Sequence, residues 1–467
     1  MFKFILKQKV YLFLVLMIGM IASCSSDDDM VIGDITSPTG ELTKTIPWDE
    51  TEASISFTAN SAWEASVAEV GTRAATSISW LKITVPKGGA GDVKMPLFLS
   101  KNDNETYREA EVTIKCGEKS VTVTIHQEAN PNAVKMMDVS AISNYSMYIT
   151  PGTWNEGFEK GPDYMLRSDA RWSWWRMKQS EHFFVFWEPG FGDDPNAESV
   201  PEALRVDIDD LLQKAEQFYK TNVEKLGMAT VGQGKSVLDN HKMQIYLLYQ
   251  TDWLATGSGY DDKIGALWVN PSTCKPVGST IGHEIGHSFQ YQVSADKLFT
   301  GEATPIDKAD GSQLVPAGFR YGFGENGAGG CAYWEQCAQW QSFQDYPNEC
   351  FDQDAHYAVW LKNHHRHFNH EFMRYASYWF QYWFTEKHGI ESYARIWKES
   401  KYPEDPLQTY MRIYCNNSLD ALYKDLYAYS AHCADYDFKA VHQYKKEAAI
   451  NYSTKLYKND GYYQVAY

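Results

Sequence analysis

The chain has 467 residues, of which 44% are hydrophobic and 22% are charged, so it is long enough for two or three globular domains. Its formal net charge is -17 at pH 7, and no run of lysine and arginine interrupts this acidity. Both features argue against a nucleic-acid-binding protein, because such proteins neutralise phosphates with clustered basic residues.

The first 23 residues have the pattern of an export signal. Lys3, Lys7 and Lys9 form a positive segment, and an apolar run from Val10 to Ile21 follows it. This run is too short to span a bilayer as a helix, and small residues end it. We therefore expect residues 1–23 to be a signal peptide.

The residue directly after this signal, Cys24, gives it a resemblance to the lipobox of bacterial lipoproteins. The resemblance implies cleavage before Cys24, lipidation of its thiol and attachment to the outer membrane. The acidic segment Ser25–Asp29 resembles the export tag of surface lipoproteins in the Bacteroidota, which implies a cell-surface location. Residues 24–37 would then be a lipidated tether. The alternative is an ordinary secretory signal followed by an incidental cysteine.

The eight cysteines do not indicate a disulfide framework. They are widely spaced, no C-x-x-C pair occurs, and seven are left once Cys24 is lipidated. Neither a disulfide scaffold nor a cysteine zinc site is therefore indicated, and the pairing cannot be deduced from the sequence.

Residues 38–129 have the alternation of apolar and polar residues that is typical of β-strands. Ser54–Thr58, Leu81–Val85, Ala110–Lys115 and Val121–Ile125 alternate with period two, and turn-forming residues separate them. Several short strands at this spacing predict an all-β, immunoglobulin-like sandwich.

This segment resembles the BACON module, a Bacteroidetes-associated carbohydrate-binding domain. The matching residues include Trp63, Trp80, Pro86–Gly89, Arg108–Ile114 and Val121–Gln127. The resemblance implies glycan binding. The alternatives are that both tryptophans fill the sandwich core and that the module is a spacer.

Residues 130–136 have the composition of a linker, and residues 137–467 mix helix and strand signals. Three strands, two helices and a largely helical final hundred residues are predicted. The strands are Phe183–Trp187, Met243–Tyr249 and Ala266–Asn270; the helices cover about 204–226, after a capping box at Ser199–Glu202, and 277–292. Asn222 is a polar exception on the apolar stripe of the first helix.

The segment His283-Glu284-Ile285-Gly286-His287 matches the H-E-x-x-H motif. On a helix, positions i and i+4 share a face, so both imidazoles can reach one Zn²⁺ ion. Glu284 lies beside them and is the candidate general base, since zinc lowers the pKa of a bound water toward neutrality. We therefore expect His283 and His287 to be metal ligands and Glu284 to be catalytic.

An open catalytic zinc site needs a third protein ligand. Glu335 precedes Ala338 on a predicted helix, which resembles the second helix of gluzincins, and the resemblance implies a His₂Glu site. Glu325 is a rival. The longer metzincin pattern, H-E-x-x-H-x-x-G-x-x-H, fails. Gln290 stands where this pattern has glycine, and Val293 stands where it has the third histidine.

Other polar residues leave open alternatives. His364, His365, His367 and His370 are close enough in sequence for a second metal site, but such a run is more often a solvated segment. A proton donor to the oxyanion of the reaction is also expected, and the candidates are Tyr333, Tyr375, Tyr378 and His370.

Residues 137–467 as a whole resemble a Bacteroidota family of unassigned function with a gluzincin-like core. The matching segments are Phe183–Glu188, His283–His287, Trp334-Glu335, Tyr382–Gly389 and Asp435–Phe438. The resemblance implies an α+β zincin-like metallopeptidase domain that binds zinc and cleaves proteins or glycoproteins at the cell surface. Two alternatives stay open: a non-catalytic glycan-binding or scaffold lipoprotein, and a metal-dependent hydrolase of non-peptide bonds.

Overall fold

The structure is a computed structural model that describes residues 30–32, 42–70, 78–152, 161–307, 313–314, 318–319, 332–352, 356–434, 437–448, 456–459 and 462–465. The chain divides into two compact units, Met1–Lys135 and Met136–Tyr467. Cys24 and Glu325 lie outside the described residues.

The described residues of the first unit form nine strands in two sheets. One sheet has the order β1-β3-β7-β5 and the other β2-β9-β8-β4-β6. The strands are β1 Met30–Ile32, β2 Thr43–Ile46, β3 Glu52–Ala59, β4 Trp63–Glu69, β5 Leu81–Ile83, β6 Lys87–Gly88, β7 Gly91–Leu99, β8 Arg108–Cys116 and β9 Lys119–Gln127. The predicted β-rich N-terminal region is confirmed.

The inward-facing residues of both sheets form one apolar core. Phe57 of β3 and Val112 of β8 are fully buried in it, as the alternation of the sequence predicts. Trp63 is 4% exposed and packs edge-on against Phe57, so it belongs to the core. Trp80 is half-buried, and the guanidinium carbon of Arg108 lies 4.5 Å from its ring centre. Trp63 is therefore closed to a sugar ring, and Arg108 covers one face of Trp80.

The second unit is built around a five-stranded sheet of order β10-β11-β12-β14-β13. Its strands are β10 Met177–Gln179, β11 Phe183–Trp187, β12 Met243–Leu247, β13 Ala255–Tyr260 and β14 Ile264–Val269. Strands β11, β12 and β14 are parallel and buried along their whole length, which explains their continuous apolar sequence.

The segment Ala266–Asn270 comes just before the H-E-x-x-H segment and is predicted as an edge strand that could hold an extended substrate. It corresponds to β14, which lies between β12 and β13 and is therefore not at an edge. The edge strand on this side of the sheet is β13, which pairs antiparallel with β14 from Ala255↔Val269 to Tyr260↔Ile264. Its glycines, Gly257 and Gly259, weaken the strand signal in the sequence.

Nine α-helices complete the described part of the second unit. They are α1 Ile208–Lys220, α2 Ser279–Phe299, α3 Ala332–Ser342, α4 His356–Asn363, α5 Trp379–His388, α6 Glu391–Lys398, α7 Pro406–Tyr414, α8 Leu419–Cys433 and α9 His442–Glu447. The helical C-terminal region is therefore confirmed. The remaining strands form two short hairpins, β15 Ile306–Asp307 with β16 Gln313–Leu314, and β17 Leu456–Asn459 with β18 Tyr462–Val465.

The start of α1 corrects the predicted capping box. Asp207 is the N-cap, and its side chain accepts hydrogen bonds from the backbone of Asp209 and Asp210. Glu202–Leu204 is a separate 3₁₀ turn that precedes the helix. The helix begins after Asp207, whose carboxylate satisfies its first free backbone amides. At its other end α1 continues into a π-helical turn, Thr221–Lys225, which carries the buried Asn222.

Helices α2 and α3 pack on each other, and α2 also packs on β13 and β14. A Cβ at Gly286 would lie 3.3 Å from Cα of Ala338, so the glycine permits the close approach of the two helices. Across the described residues, no helix combines the length and apolar character that crossing a membrane requires.

Candidate metal centre

The H-E-x-x-H segment lies in the first half of α2, with its apolar side fixed in the core. Ile281, Ile285 and Phe289 are fully buried on that side. The side chains of His283 and His287 point the other way, are 8% and 14% exposed, and have ring centres 4.7 Å apart. The one-turn spacing of the motif therefore brings both imidazoles to one place.

Glu335 reaches the same place from α3. Its Oε2 lies 3.0 Å from Nε2 of His283 and 3.0 Å from Nε2 of His287. One ligand atom from each of the three residues falls within 4.8 Å of the others, and no second such group occurs among the described residues. The structure thus brings together the three residues that the sequence singles out.

The charge state of Glu335 fits a ligating carboxylate. Burial opposes its ionisation, but hydrogen bonds from His283 and His287 outweigh burial and hold its pKa well below the ordinary value. Its second oxygen, Oε1, accepts a hydrogen bond from the hydroxyl of Tyr375 at 3.1 Å. Glu335 is therefore a buried anion held in one orientation.

Both imidazoles have a hydrogen-bond partner behind them. Nδ1 of His283 lies 3.1 Å from Oε1 of Gln339, and Nδ1 of His287 lies 2.9 Å from Oε1 of Gln290. An amide oxygen can only accept, so each Nδ1 carries a proton and each Nε2 faces Glu335. No sequence motif indicates either glutamine. The signal that could have found them is their spacing, since Gln290 lies about one helical turn after His287 and Gln339 about one turn after Glu335.

Glu284 is held by the edge strand. Its Oε2 accepts a hydrogen bond from the backbone amide of Gly257 at 2.5 Å. A Cβ at Gly257 would lie 2.0 Å from the carbonyl oxygen of Glu284, so only glycine allows β13 to approach α2 this closely. The strand thus places Glu284 beside the two histidines.

A cavity of about 1000 Å³ contains the three candidate ligands and Glu284. One wall is β13, with the exposed Trp253 just before it. Other lining residues come from α2, α3 and the segments around them; they include Ser279, Thr280, Trp334, Glu349, His356 and Tyr375. Its size and mixed lining are typical of a site for a large ligand.

The four candidate proton donors separate clearly. Only Tyr375 lines the cavity and contacts a candidate ligand. Tyr333 is buried against Trp397, and the hydroxyl of Tyr378 donates to the carbonyl of Cys350 at 2.6 Å. His370 accepts a hydrogen bond from the backbone of Phe372 at the start of a 3₁₀ turn.

The run of histidines from 364 to 370 is used in local structure. His364 contacts the carbonyl of Leu361, and Nδ1 of His367 accepts a hydrogen bond from the backbone amide of Asn369. These histidines form no metal-binding group within the described part of the chain.

Comparison with protein families assigns most of the chain. Residues 131–467 match the DUF6055 family, described as "Family of unknown function". The chain belongs to the DUF6055 family. Residues 67–128 match BACON, described as "Putative binding domain, N-terminal". The DUF6055 region therefore contains the whole candidate metal centre, and the predicted BACON module is confirmed.

Solved structures show only distant likeness to this DUF6055 protein. A protein from Bacteroides thetaiotaomicron is 16% identical, with 20% of this chain and 84% of that chain covered and a TM-score of 0.16. A Bacteroides ovatus GH5 xyloglucanase in complex with a XXXG heptasaccharide is 15% identical, with 56% and 62% covered and a TM-score of 0.17. The E. coli chaperone DraB is 11% identical, with 21% and 55% covered and a TM-score of 0.16. No curated protein matches the chain.

Proposed function

We propose that this protein is a zinc-dependent peptidase that hydrolyses peptide bonds of proteins or glycoproteins, with a zincin-like arrangement in its second unit. One observation carries the proposal: Nε2 of His283 and Nε2 of His287 both lie 3.0 Å from Oε2 of Glu335. The H-E-x-x-H motif and a carboxylate from a second helix thus converge beside Glu284.

The donor set fits zinc. Two imidazole nitrogens and one carboxylate oxygen are the three protein ligands of many catalytic zinc sites, which keep a fourth position open. Both imidazoles also donate through Nδ1 to an amide oxygen, as ligating histidines do. A zinc ion held by His283, His287 and Glu335 would supply a Lewis acid that lowers the pKa of water toward neutrality and polarises a carbonyl.

Glu284 would accept a proton from the attacking water and pass it to the leaving amine nitrogen. The hydrogen bond from Gly257 engages Oε2 and holds the carboxylate by this oxygen. Proton transfer would then use the other oxygen, Oε1.

The edge of β13 that faces away from β14 suits an extended peptide beside Gly257, whose own amide is bonded to Glu284. In an antiparallel pair, successive residues direct their backbone groups to opposite sides. The amide of Gly257 points away from β14 to Glu284, so Ala255 and Gly257 share the side that faces the cavity. A peptide that pairs with this edge would bring its backbone to the candidate metal centre.

Metal content and two substitutions test the proposal. Zinc should bind the full chain at one ion per molecule, measured by elemental analysis, and Glu335→Ala should lose most of it. Glu284→Gln should retain zinc and fold while hydrolysis of a broad panel of peptides and mucins is abolished. Zinc content near zero in the metal-replete wild type would overturn the proposal.

A binding role for the protein is the second candidate. The match of residues 67–128 to a family of binding domains favours it. Under this reading the first unit would hold a glycan and the second would be a catalytically inert scaffold. Wild type and Glu284→Gln that are equally inert on the panel, together with retention on a glycan array, would support this alternative.

We further propose that Cys24 carries a lipid that anchors the protein in the outer membrane with both units outside the cell. The basic and apolar leader and the acidic segment after Cys24 support this proposal. Mass spectrometry of the mature N-terminus would detect the lipid, and Cys24→Ala should release the protein from the membrane fraction. An unmodified Cys24 would overturn the anchor.

A further inference from the structure

Three buried side-chain amides form a continuous row from the end of α1 to the candidate metal centre. Asn222 in the π-helical turn is 2% exposed, Gln341 on α3 is 1% exposed, and Gln290 on α2 is 3% exposed. Burying amides is costly unless each polar atom is paired, so their hydrogen bonds determine how each group is turned.

The orientation of the first two amides follows from a backbone carbonyl. Nδ2 of Asn222 donates to the carbonyl oxygen of Phe218 at 2.9 Å, so its Oδ1 faces Gln341. Nε2 of Gln341 donates to that oxygen at 2.5 Å. Oε1 of Gln341 is therefore turned toward Gln290, and it also accepts a hydrogen bond from Tyr393 at 3.0 Å.

The third amide transmits this orientation to His287. Nε2 of Gln290 donates to Oε1 of Gln341 at 3.0 Å and to the carbonyl oxygen of Trp334 at 3.1 Å. Oε1 of Gln290 then faces Nδ1 of His287 at 2.9 Å. Because this oxygen can only accept, Nδ1 of His287 carries a proton in either charge state. In the charged ring Nε2 also carries a proton and donates to Glu335, and in the neutral ring, the form that binds metal, Nε2 has the lone pair.

We propose that Asn222, Gln341 and Gln290 are positioning residues that together hold His287 in the tautomer that binds metal through Nε2. This inference rests on the proposed function, because it concerns the same ligand. Asn222, the polar exception on the apolar stripe of the predicted helix, would then determine the orientation of the amides in this row. Neutral amides fix the tautomer without adding negative charge to the site, unlike the carboxylate partner common at zinc sites.

Two substitutions of Gln290 separate positioning from packing. Gln290→Met preserves side-chain volume but removes the acceptor, so zinc affinity should fall by about 10- to 100-fold. Gln290→Glu keeps an acceptor for His287, so zinc affinity should be retained. Its carboxylate would face the carbonyl of Trp334 and Oε1 of Gln341, so the melting temperature of the metal-free protein should drop.

The remote members and a control complete the experiment. Gln341→Met should also lower zinc affinity, but by less than Gln290→Met, because Gln290 keeps its hydrogen bond to the carbonyl oxygen of Trp334. Val223→Ala, beside Asn222 in the same turn, removes packing only and should lower the melting temperature without changing zinc affinity. Zinc affinity of the full chain is measured by competition with a chromophoric chelator at a temperature where every metal-free variant is folded.

The outcomes distinguish this inference from the proposed function. Zinc binding by the wild type with unchanged affinity in Gln290→Met would overturn the positioning role alone. Equal losses of affinity in Gln290→Met, Gln290→Glu and Val223→Ala would also overturn it, since affinity would then follow stability. Absence of zinc from the wild type would overturn both proposals.

Discussion

The backbone amide of Gly257 lies 2.5 Å from Oε2 of Glu284, so the edge strand holds the carboxylate that follows the first histidine of the motif. The position of this side chain therefore depends on a contact between two backbones, because the Cα of Gly257 can approach α2 only without a Cβ. The geometry of the site is thus determined by the packing of β13 on α2.

Gly257→Ala should destabilise the second unit and displace Glu284. Its Cβ would lie 2.0 Å from the carbonyl oxygen of Glu284, and neither backbone can yield without moving an element. We expect a loss of about 3 kcal/mol in the free energy of unfolding, measured by urea denaturation, and a loss of the proposed peptidase activity.

Gly278→Ala is the matched control, because its Cβ would come no closer than 3.8 Å to the carbonyl oxygen of Pro276. It changes the N-cap of α2 and should cost about 1 kcal/mol or less. Equal costs for the two variants would contradict the tight contact at Gly257.

Tyr375→Phe should lower kcat while leaving zinc content unchanged. The Tyr375 hydroxyl lies 3.1 Å from Oε1 of Glu335 inside the cavity, and under the proposed function it would donate to the oxyanion of the reaction. Removing one such donor typically costs about 10²- to 10³-fold in kcat. Steady-state kinetics and elemental analysis on the same preparation measure the two effects.

Tyr378→Phe serves as the control for Tyr375→Phe, since its hydroxyl is buried against the carbonyl of Cys350. It should lose about 1 kcal/mol of stability and no activity. Loss of zinc from Tyr375→Phe would instead mean that the tyrosine acts mainly by holding Glu335.

Lys297 should make the stability of the second unit depend on pH. Burial lowers its pKa to about 8, and Nζ donates to the carbonyl oxygen of Ser400 at 2.8 Å. Between about pH 8 and the ordinary lysine pKa of about 10.4, the unfolded chain binds a proton that the folded chain lacks. The contribution of Lys297 to the free energy of unfolding should therefore rise with pH across this window.

The contribution is isolated by comparing wild type with Lys297→Met in urea denaturation at several pH values. The difference should shift in favour of the wild type from about pH 8 upward. Lys297→Arg should show no such rise, because its guanidinium stays charged throughout. Parallel curves for the three proteins would contradict a depressed pKa of the lysine.

Trp63→Ala should destabilise the first unit strongly. The indole is 4% exposed and packs on Phe57, so its loss leaves a cavity that costs about 3–5 kcal/mol. Tyr107→Ala is the comparison: its ring is 59% exposed and stacks on His126. It should change the free energy of unfolding by about 0.5 kcal/mol or less. A small effect of Trp63→Ala would show that the tryptophan is not a core residue.

Sequence patterns predict the buried strands and the site helix well, because strong periodicity has a direct physical cause. Phe183–Trp187 is β11 to the residue, and the helix predicted over 277–292 is the first part of α2. Glu335 could be singled out because the segment around it resembles the second helix of gluzincins, and in the structure its Oε2 lies 3.0 Å from Nε2 of both histidines.

Other parts of the site leave little trace in the sequence. The edge strand β13 contains two glycines that its packing requires, and these reduce the strand signal. The histidine partners Gln290 and Gln339 belong to no motif, since an amide that accepts from an imidazole needs only proximity. Their role follows from packing of α2 on α3, which no local pattern determines.

The two arms of the candidate centre come from distant parts of the chain, His287 on α2 and Glu335 on α3. An ion shared by them would act as a cross-link that closes the intervening loop of the chain and reduces the conformational entropy of the unfolded state. The resistance of the second unit to heat and proteolysis would then depend on the metal supply, and so would the proposed catalytic activity.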